Sequence, residues 1–215
     1  MRGPGGPGAA VRPDRVRRRL VGCADARLVS RRHRPWGASP CDADRDRRRD
    51  VTAATSAGIL LFRRTADGPE VLLAHPGGPY WRQQDYASWS VPKGIAEDGE
   101  ALEAVAAREF EEETGFTLGA VARDAGQHRL DLGEITLKSG KTVRAWAVEG
   151  DLDPALAHSN EIEIEWPPRT GRQMRIPEVD RVAWFRFPEA RKRFHPAQAA
   201  FVDRLEAQLA ESPAT

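Results

Sequence analysis

The feature that most restricts the fold is the stretch from Ala101 to Thr114, whose Ala, Leu, Glu and Arg content and lack of Gly or Pro specify a helix. Gly115 follows where a left-handed residue ends a helix. At about 100° per residue, Leu102, Val105 and Ala106 fall in one narrow sector, which must face a core. Glu109 and Glu113 fall in the same sector and Glu112 at its edge, while Glu111 points to the polar side with Glu103 and Ala107. Whatever packs against this helix must therefore accommodate carboxylates.

Carboxylates gathered beside an apolar face lose hydration and repel one another, a cost that a cation relieves. The spacing i, i+3, i+4 puts Glu109, Glu112 and Glu113 within one turn. An all-oxygen set with no His or Cys nearby suits Mg2+ or Mn2+ rather than zinc. The three acids sit in the C-terminal half, at the unfavourable end of the helix dipole, a local conflict expected where function demands it. Arg108, adjacent to Glu109 and four residues before Glu112, can hold a carboxylate by a bidentate bond; the alternative is a surface i,i+4 pair of small worth. Glu100 precedes the helix, where its charge suits the N-terminus and capping alone explains it.

Ahead of the helix, 56–64 and 70–75 read as two strands of a hairpin, and 76–88 as a long exposed loop of the kind that is often functional. Beyond it, 127–132, 134–138 and 141–148 read as strands, the last two joined by the Ser139-Gly140 turn. A loop over 151–160, strands over 161–166 and 182–187, and a terminal amphipathic helix over 196–209 complete the pattern. Strands punctuated by two helices predict a mixed α/β sandwich.

Charge divides the 215-residue chain unevenly. Residues 1–50 hold fourteen Arg, no Lys and six Asp among Gly and Pro, a composition that cannot bury enough apolar surface to order itself. This segment is expected to be disordered, read either as a basic arm for nucleic acid or as non-native coding sequence ahead of a start at Val51. The folded domain is expected over 51–215, net acidic and without cysteine, since Cys23 and Cys41 both lie earlier. With no signal peptide and no run near the roughly 20 apolar residues of a membrane span, a cytoplasmic protein is expected.

Gly94, five residues, Glu100, seven residues, Arg108-Glu109, apolar Phe110, one residue, Glu112-Glu113, one residue, Gly115 and apolar Phe116 together match every fixed position of the Nudix box. Pro92-Lys93-Gly94 before it and Pro177-Glu178-Val179-Asp180 leading to Trp184-Phe185 look like that family's flanks, so the chain resembles the Nudix hydrolase family over 55–193. The resemblance implies an α/β/α sandwich with a mixed β-sheet, whose box binds Mg2+ (or Mn2+) and cleaves a nucleoside diphosphate linked to another moiety. By position, Glu109, Glu112 and Glu113 would be metal ligands, the Gly94 carbonyl a further ligand, Arg108 the residue that orients Glu109, and Glu100 structural. Family members often take another Glu from beyond the box as general base or ligand. Glu161, Glu163 and Glu165 share one strand face and all remain open, with Glu163 the central candidate; the alternative is the wet face of an edge strand.

The partner implied is a small-molecule nucleotide, with nucleic acid only if the basic segment is native; the oligomer is a monomer or homodimer. Lys93, Lys138, Lys141, Arg144, Arg169, Arg172 and Arg175 are candidate phosphate partners. Pro167-Pro168-Arg169-Thr170-Gly171-Arg172 stands out, because a stiff Pro-Pro and a Gly turn can hold two guanidiniums toward a cleft. Tyr80, Trp81, Tyr86 and Trp89 are candidates for stacking on a base, Trp89 equally a core residue. The family's downstream Pro and Tyr substrate markers are missing, with Asp131, Leu132 and Gly133 in their place. The opening and the Trp89–Gly94 approach resemble the diadenosine tetraphosphatase-type and nucleoside triphosphate pyrophosphohydrolase branches. ADP-ribose pyrophosphatase, RNA 5′-end hydrolase and non-catalytic nucleotide-binding regulator remain as alternatives, the last disfavoured by the retained carboxylates.

Overall fold

The computed structural model describes residues 55–211. The Arg-rich segment 1–50 and the alternative start at Val51 lie outside the described residues. In chain order the strands are β1 (Thr55–Thr65), β2 (Gly68–Pro76), β3 (Lys93–Ile95), β4 (Leu130–Thr136), β5 (Thr142–Glu149), β6 (Glu161–Glu165), β7 (Gln173–Pro177) and β8 (Val179–Arg186). The helices are α1 (Leu102–Thr114), the single turn α2 (Leu118–Val121), α3 (Phe187–Arg193) and α4 (Ala200–Glu211).

Six strands form one mixed sheet in the order β4-β5-β1-β2-β8, with the short β3 beside β1. β1 and β2 make the expected hairpin, β1 and β5 run parallel, and β4 pairs antiparallel with β5. Alternation along β1 sorts the core into two layers. Ala57, Ile59 and Leu61 face Val105, Ala106 and Phe110 of α1, while Leu60 and Phe62 face Phe187, Phe194, Phe201, Val202 and Leu205 of the α3–α4 segment. The sheet is therefore covered on both sides, as the expected sandwich requires.

Several elements differ from the sequence reading, the single turn α2 among them as an addition. The two strands expected over 127–138 are the one strand β4, with a register shift between Asp131 and Glu134. β3, β7 and α3 are additional. β6 and β7 pair only with each other, as a two-stranded hairpin separate from the main sheet. Among the described residues no helix is long and apolar enough to cross a membrane.

Phe110 is fully buried between α1 and the sheet. Phe110→Ala is expected to lower unfolding free energy by about 3–5 kcal/mol in urea titration, and the exposed Glu111→Ala by under about 0.5 kcal/mol. Equal losses would place the inward face of α1 elsewhere.

Candidate active site

The inward face of α1 carries the two acids that the helical period placed there. Glu109 and Glu113 are each only 5% exposed. Arg108 and the Lys93 main chain hold this acidic turn. Arg108 Nη1 donates to Glu109 Oε1 at 2.6 Å and to Glu112 Oε1 at 3.3 Å, and its Nη2 lies 3.6 Å from Glu100 Oε2. One guanidinium thus orients two box carboxylates rather than forming a surface pair. Glu113 Oε2 accepts from the Lys93 main-chain N–H at 3.2 Å.

β3 brings the approach loop against the helix. Gly94 pairs with Ala57 on β1, and a Cβ at Gly94 would lie 2.0 Å from Glu109 Oε2. Any side chain here would force the Glu109 carboxylate to move, so the Gly94 main chain and the Glu109 carboxylate share one small space. Glu100 accepts from the Glu97 N–H at 2.8 Å, which shapes the turn leading into α1.

Main-chain bonds at the far end of the helix place a further acid. Gly115, at φ 78°, caps α1 by donating to Glu111 O. Asn160 N–H donates to Glu112 O at 3.0 Å, Glu178 N–H to Asn160 O at 2.9 Å, and Gly77 N–H to Glu178 O at 2.9 Å. Glu178 therefore joins the helix end, and its carboxylate is close enough to act on Glu113. Two residues later, Asp180 is held by the fully buried His75, whose Nδ1 lies 2.7 Å from Asp180 Oδ1 and whose Nε2 lies 2.7 Å from Gln84 O. In the sequence, the Pro177-Glu178-Val179-Asp180 stretch stands out only as a flank of the box, with no signal that gives Glu178 a role.

Glu163 stands apart from this group. Its side chain is 65% exposed on the outer face of the β6–β7 hairpin, with Arg175 Nε at 3.8 Å; Glu161 shares Arg175, and Glu165 accepts from Gly171 N–H at 2.8 Å. Among the cationic candidates, Lys93 is beside Glu113, while Lys141 lies in the β4–β5 turn. Arg144 is occupied by Asp131 at 2.6 Å and Glu134 at 3.4 Å, over the Trp146 ring. Lys138, in the same turn as Lys141, and Lys93 both act on His195. Arg169 and Arg172 are exposed in the β6–β7 turn. Tyr80 is half-exposed and meets Trp81 edge-on, Tyr86 is exposed beneath Arg193, and Trp89 is core.

Burial pushes the Glu113 carboxyl up to about 8; Lys93 opposes this, while Glu178 and Glu109 add to it. Among the described residues no three His, Cys, Asp or Glu side chains form a ready-made metal cage. Glu109 and Glu112 are drawn to Arg108, and Glu113 to the Lys93 N–H. The donor set still fits a hard divalent cation: two buried, mutually repelling carboxylates, a third at their edge, and a main chain at Gly94 stripped of its Cβ.

Because the folded value of Glu113 lies above the ordinary 4.5, the folded chain holds a proton between about 4.5 and 8 that the unfolded chain has lost. This group therefore lowers stability as pH rises through that window. With divalent cations chelated, Glu113→Gln is expected to melt at a higher temperature than the native chain above pH 8, an advantage that shrinks toward pH 4.5. A difference in Tm that is constant with pH would show that Glu113 does not titrate there.

A family model for the NUDIX domain matches residues 52–205. An RNA pyrophosphohydrolase of Caulobacter vibrioides is 35% identical over 104 residues, which are 44% of this chain and 60% of that protein. The chain thus spans less than two thirds of the length of the curated relatives it matches. Among solved structures, an Ap4A hydrolase binary complex from C. elegans aligns at 21% identity and TM-score 0.49, over 74% of this chain and 99% of that one. The M. smegmatis Nudix hydrolase RenU aligns at 22% identity and TM-score 0.48, over 75% and 89%. With the glutamate-bearing helix, its Gly94 neighbour and a family match across most of its length, the chain belongs to the NUDIX domain family.

Proposed function

We propose that this chain is a Mg2+- or Mn2+-dependent pyrophosphohydrolase that cleaves a phosphoanhydride bond in a nucleoside diphosphate-linked substrate, a dinucleoside polyphosphate first among them. The observation that carries this reading is the pair Glu109 and Glu113, two carboxylates 5% exposed on the core face of one helix, which charge compensation by a cation would stabilise.

Glu109, Glu112 and Glu113 would hold the metal, with the Gly94 carbonyl alongside. When bound, a divalent ion polarises a phosphoryl oxygen and makes water a nucleophile near neutral pH. The chain's own residues do the rest. Arg108 fixes Glu109 and Glu112 in one orientation, and the Lys93 N–H fixes Glu113. The Lys93 ammonium, already acting on Glu113, meets the phosphate charge beside the carboxylates. Glu178 is assigned as the group that accepts the proton of the attacking water, in preference to Glu163, because it is tied to the end of α1 and acts on Glu113.

The dinucleoside reading draws on the sequence resemblance. The Caulobacter relative's name favours RNA 5′-end hydrolysis as the second reading. Arg144 no longer supports either, since Asp131 and Glu134 neutralise it.

Glu112→Gln, Glu113→Gln and Arg108→Ala are each expected to lower kcat at least about a hundredfold with the far-UV spectrum unchanged, and chelation should abolish turnover. Near-normal rates in these variants would overturn the metal assignment. Across diadenosine tetraphosphate, ATP, ADP-ribose and a 5′-triphosphorylated RNA, the highest kcat/KM is expected for the first. A tenfold preference for ADP-ribose, about 1.4 kcal/mol in the transition state, would overturn that choice and leave the metal mechanism standing.

A further inference from the structure

We propose that the outer half of the β6–β7 hairpin is a binding site for the distal nucleoside of a dinucleoside polyphosphate, with Trp166 and Met174 beneath its base and Arg169 and Arg172 beside the base and its ribose. The proposal rests on the pyrophosphohydrolase reading for the identity of the ligand.

Register gives the hairpin two unlike faces. Ile162 lies opposite Ile176 and Ile164 opposite Met174, and Trp166 N–H donates to Arg172 O at 2.9 Å one pair further out. Opposed residues of an antiparallel pair share a face, so the isoleucines, Met174 and Trp166 line one side, while Glu161, Glu163, Glu165 and Arg175 line the other. The inner half of the apolar side is covered. Ile176 is 8% exposed, and it and Ile164 pack over Gly78, where a Cβ would come within 2.7 Å of Ile176 Cδ1. Toward the tip the cover ends: Met174 is 39% exposed and Trp166 only half-buried. A polarisable thioether and an indole side by side suit the flat face of a base.

Charge at the tip is mainly positive. Residues 167–172 include Arg169 and Arg172 and no acid, and neither guanidinium has a carboxylate partner among the described residues. Arg144, Arg191 and Arg193 are each shared between two acids. The nearest acid, Glu165, is occupied by the Gly171 N–H. The turn is also preformed: Thr170 Oγ1 donates to Pro167 O at 2.6 Å, and Arg169 holds φ 65°, a left-handed conformation that costs a non-glycine residue about 1–2 kcal/mol. Strain of this kind at an unpaired arginine fits a ligand clamp.

The hairpin starts where the chemistry is. β7 ends at Pro177, and the next residue is Glu178 at the end of α1. Along an extended strand Arg172 is roughly 20 Å from Glu178. A nucleoside joined to the cleaved bond through a single phosphate falls short of the tip, whereas one joined through several phosphates spans the distance.

The test uses the full chain and two variants, Arg172→Ala and Trp166→Ala, with KM and kcat measured on diadenosine tetraphosphate, ATP and a 5′-triphosphorylated RNA. For the tetraphosphate KM is expected to rise about tenfold, the loss of one base stack or charge contact, with kcat within about twofold and the KM for ATP unchanged. An equal rise for ATP would place the tip at the proximal nucleotide, and an effect confined to RNA would make it an RNA surface; either overturns the proposal, as does no change on the tetraphosphate. Arg172 is exposed, so its variant keeps the test valid if Trp166→Ala misfolds. Equilibrium dialysis of diadenosine tetraphosphate with EDTA present separates this proposal from the catalytic one. A tenfold weaker Kd in Arg172→Ala supports the tip site even in a chain that turns over nothing, and an unchanged Kd refutes it.

Discussion

Two carboxylates buried against a hydrophobic sheet are the constraint on which the rest of this molecule depends. Removing a charge from water costs several kcal/mol even after relaxation, and α1 does so twice, at Glu109 and Glu113, near the end of the helix where the backbone dipole disfavours anions. Arg108 and the Lys93 N–H offset part of that cost. The residual conflict appears as the upward displacement of Glu113, driven first by burial. A sequence selected only for stability would carry Leu or Ala at both positions, as it does at Leu102 and Ala106 on the same face.

The geometry that exploits this conflict is built almost wholly from main-chain bonds. Asn160 and His158 satisfy the open carbonyls of Glu112 and Thr114, Asn160 receives Glu178, and Glu178 receives Gly77. The end of α1, the 157–160 loop, the root of the hairpin and the loop after β2 therefore meet at one place. Substitutions among the side chains of those loops leave the links intact, because backbone donors and acceptors do not depend on residue type. The fully buried His75, between Asp180 and the Gln84 carbonyl, fastens the same region from beneath.

What was legible in the sequence follows from which signals are local. The helix and its inward acids were legible because a 3.6-residue period needs only consecutive positions, β1 and β2 because each carries a continuous apolar run, and β5 because an alternating stretch follows the Ser139-Gly140 turn. β7 was not, because Gln173, Met174 and Arg175 are all exposed and only Ile176 is buried. β3 is three residues long and defined by its partner. α3 escaped because Phe187 and Ala190 alone of its seven residues turn inward. Glu178 was invisible as a neighbour of Glu113, since 65 residues and two main-chain links separate them. The neutralisation of Arg144 was not legible: counting outward from a two-residue Ser139-Gly140 turn puts Ile135 opposite Arg144, whereas the connection also takes in Lys138 and the observed register places Glu134 there.

Chemistry and recognition are carried by parts of different stiffness. Glu109, Glu112 and Glu113 project from a helix locked to the sheet by Val105, Ala106 and Phe110, so their positions are set by the core. The β6–β7 hairpin buries Ile176 at its root and exposes its tip, so its outer residues answer to little besides each other and whatever they bind. Changes at the tip can alter which nucleotide is held without disturbing the carboxylates, because the chain enters the hairpin after Asn160 and leaves it at Glu178, and both residues are pinned by their backbones. The same separation explains why the box is legible from sequence while the substrate is not. The box answers to one fixed chemical demand, the compensation of buried charge, whereas the hairpin answers only to the shape and charge of its ligand.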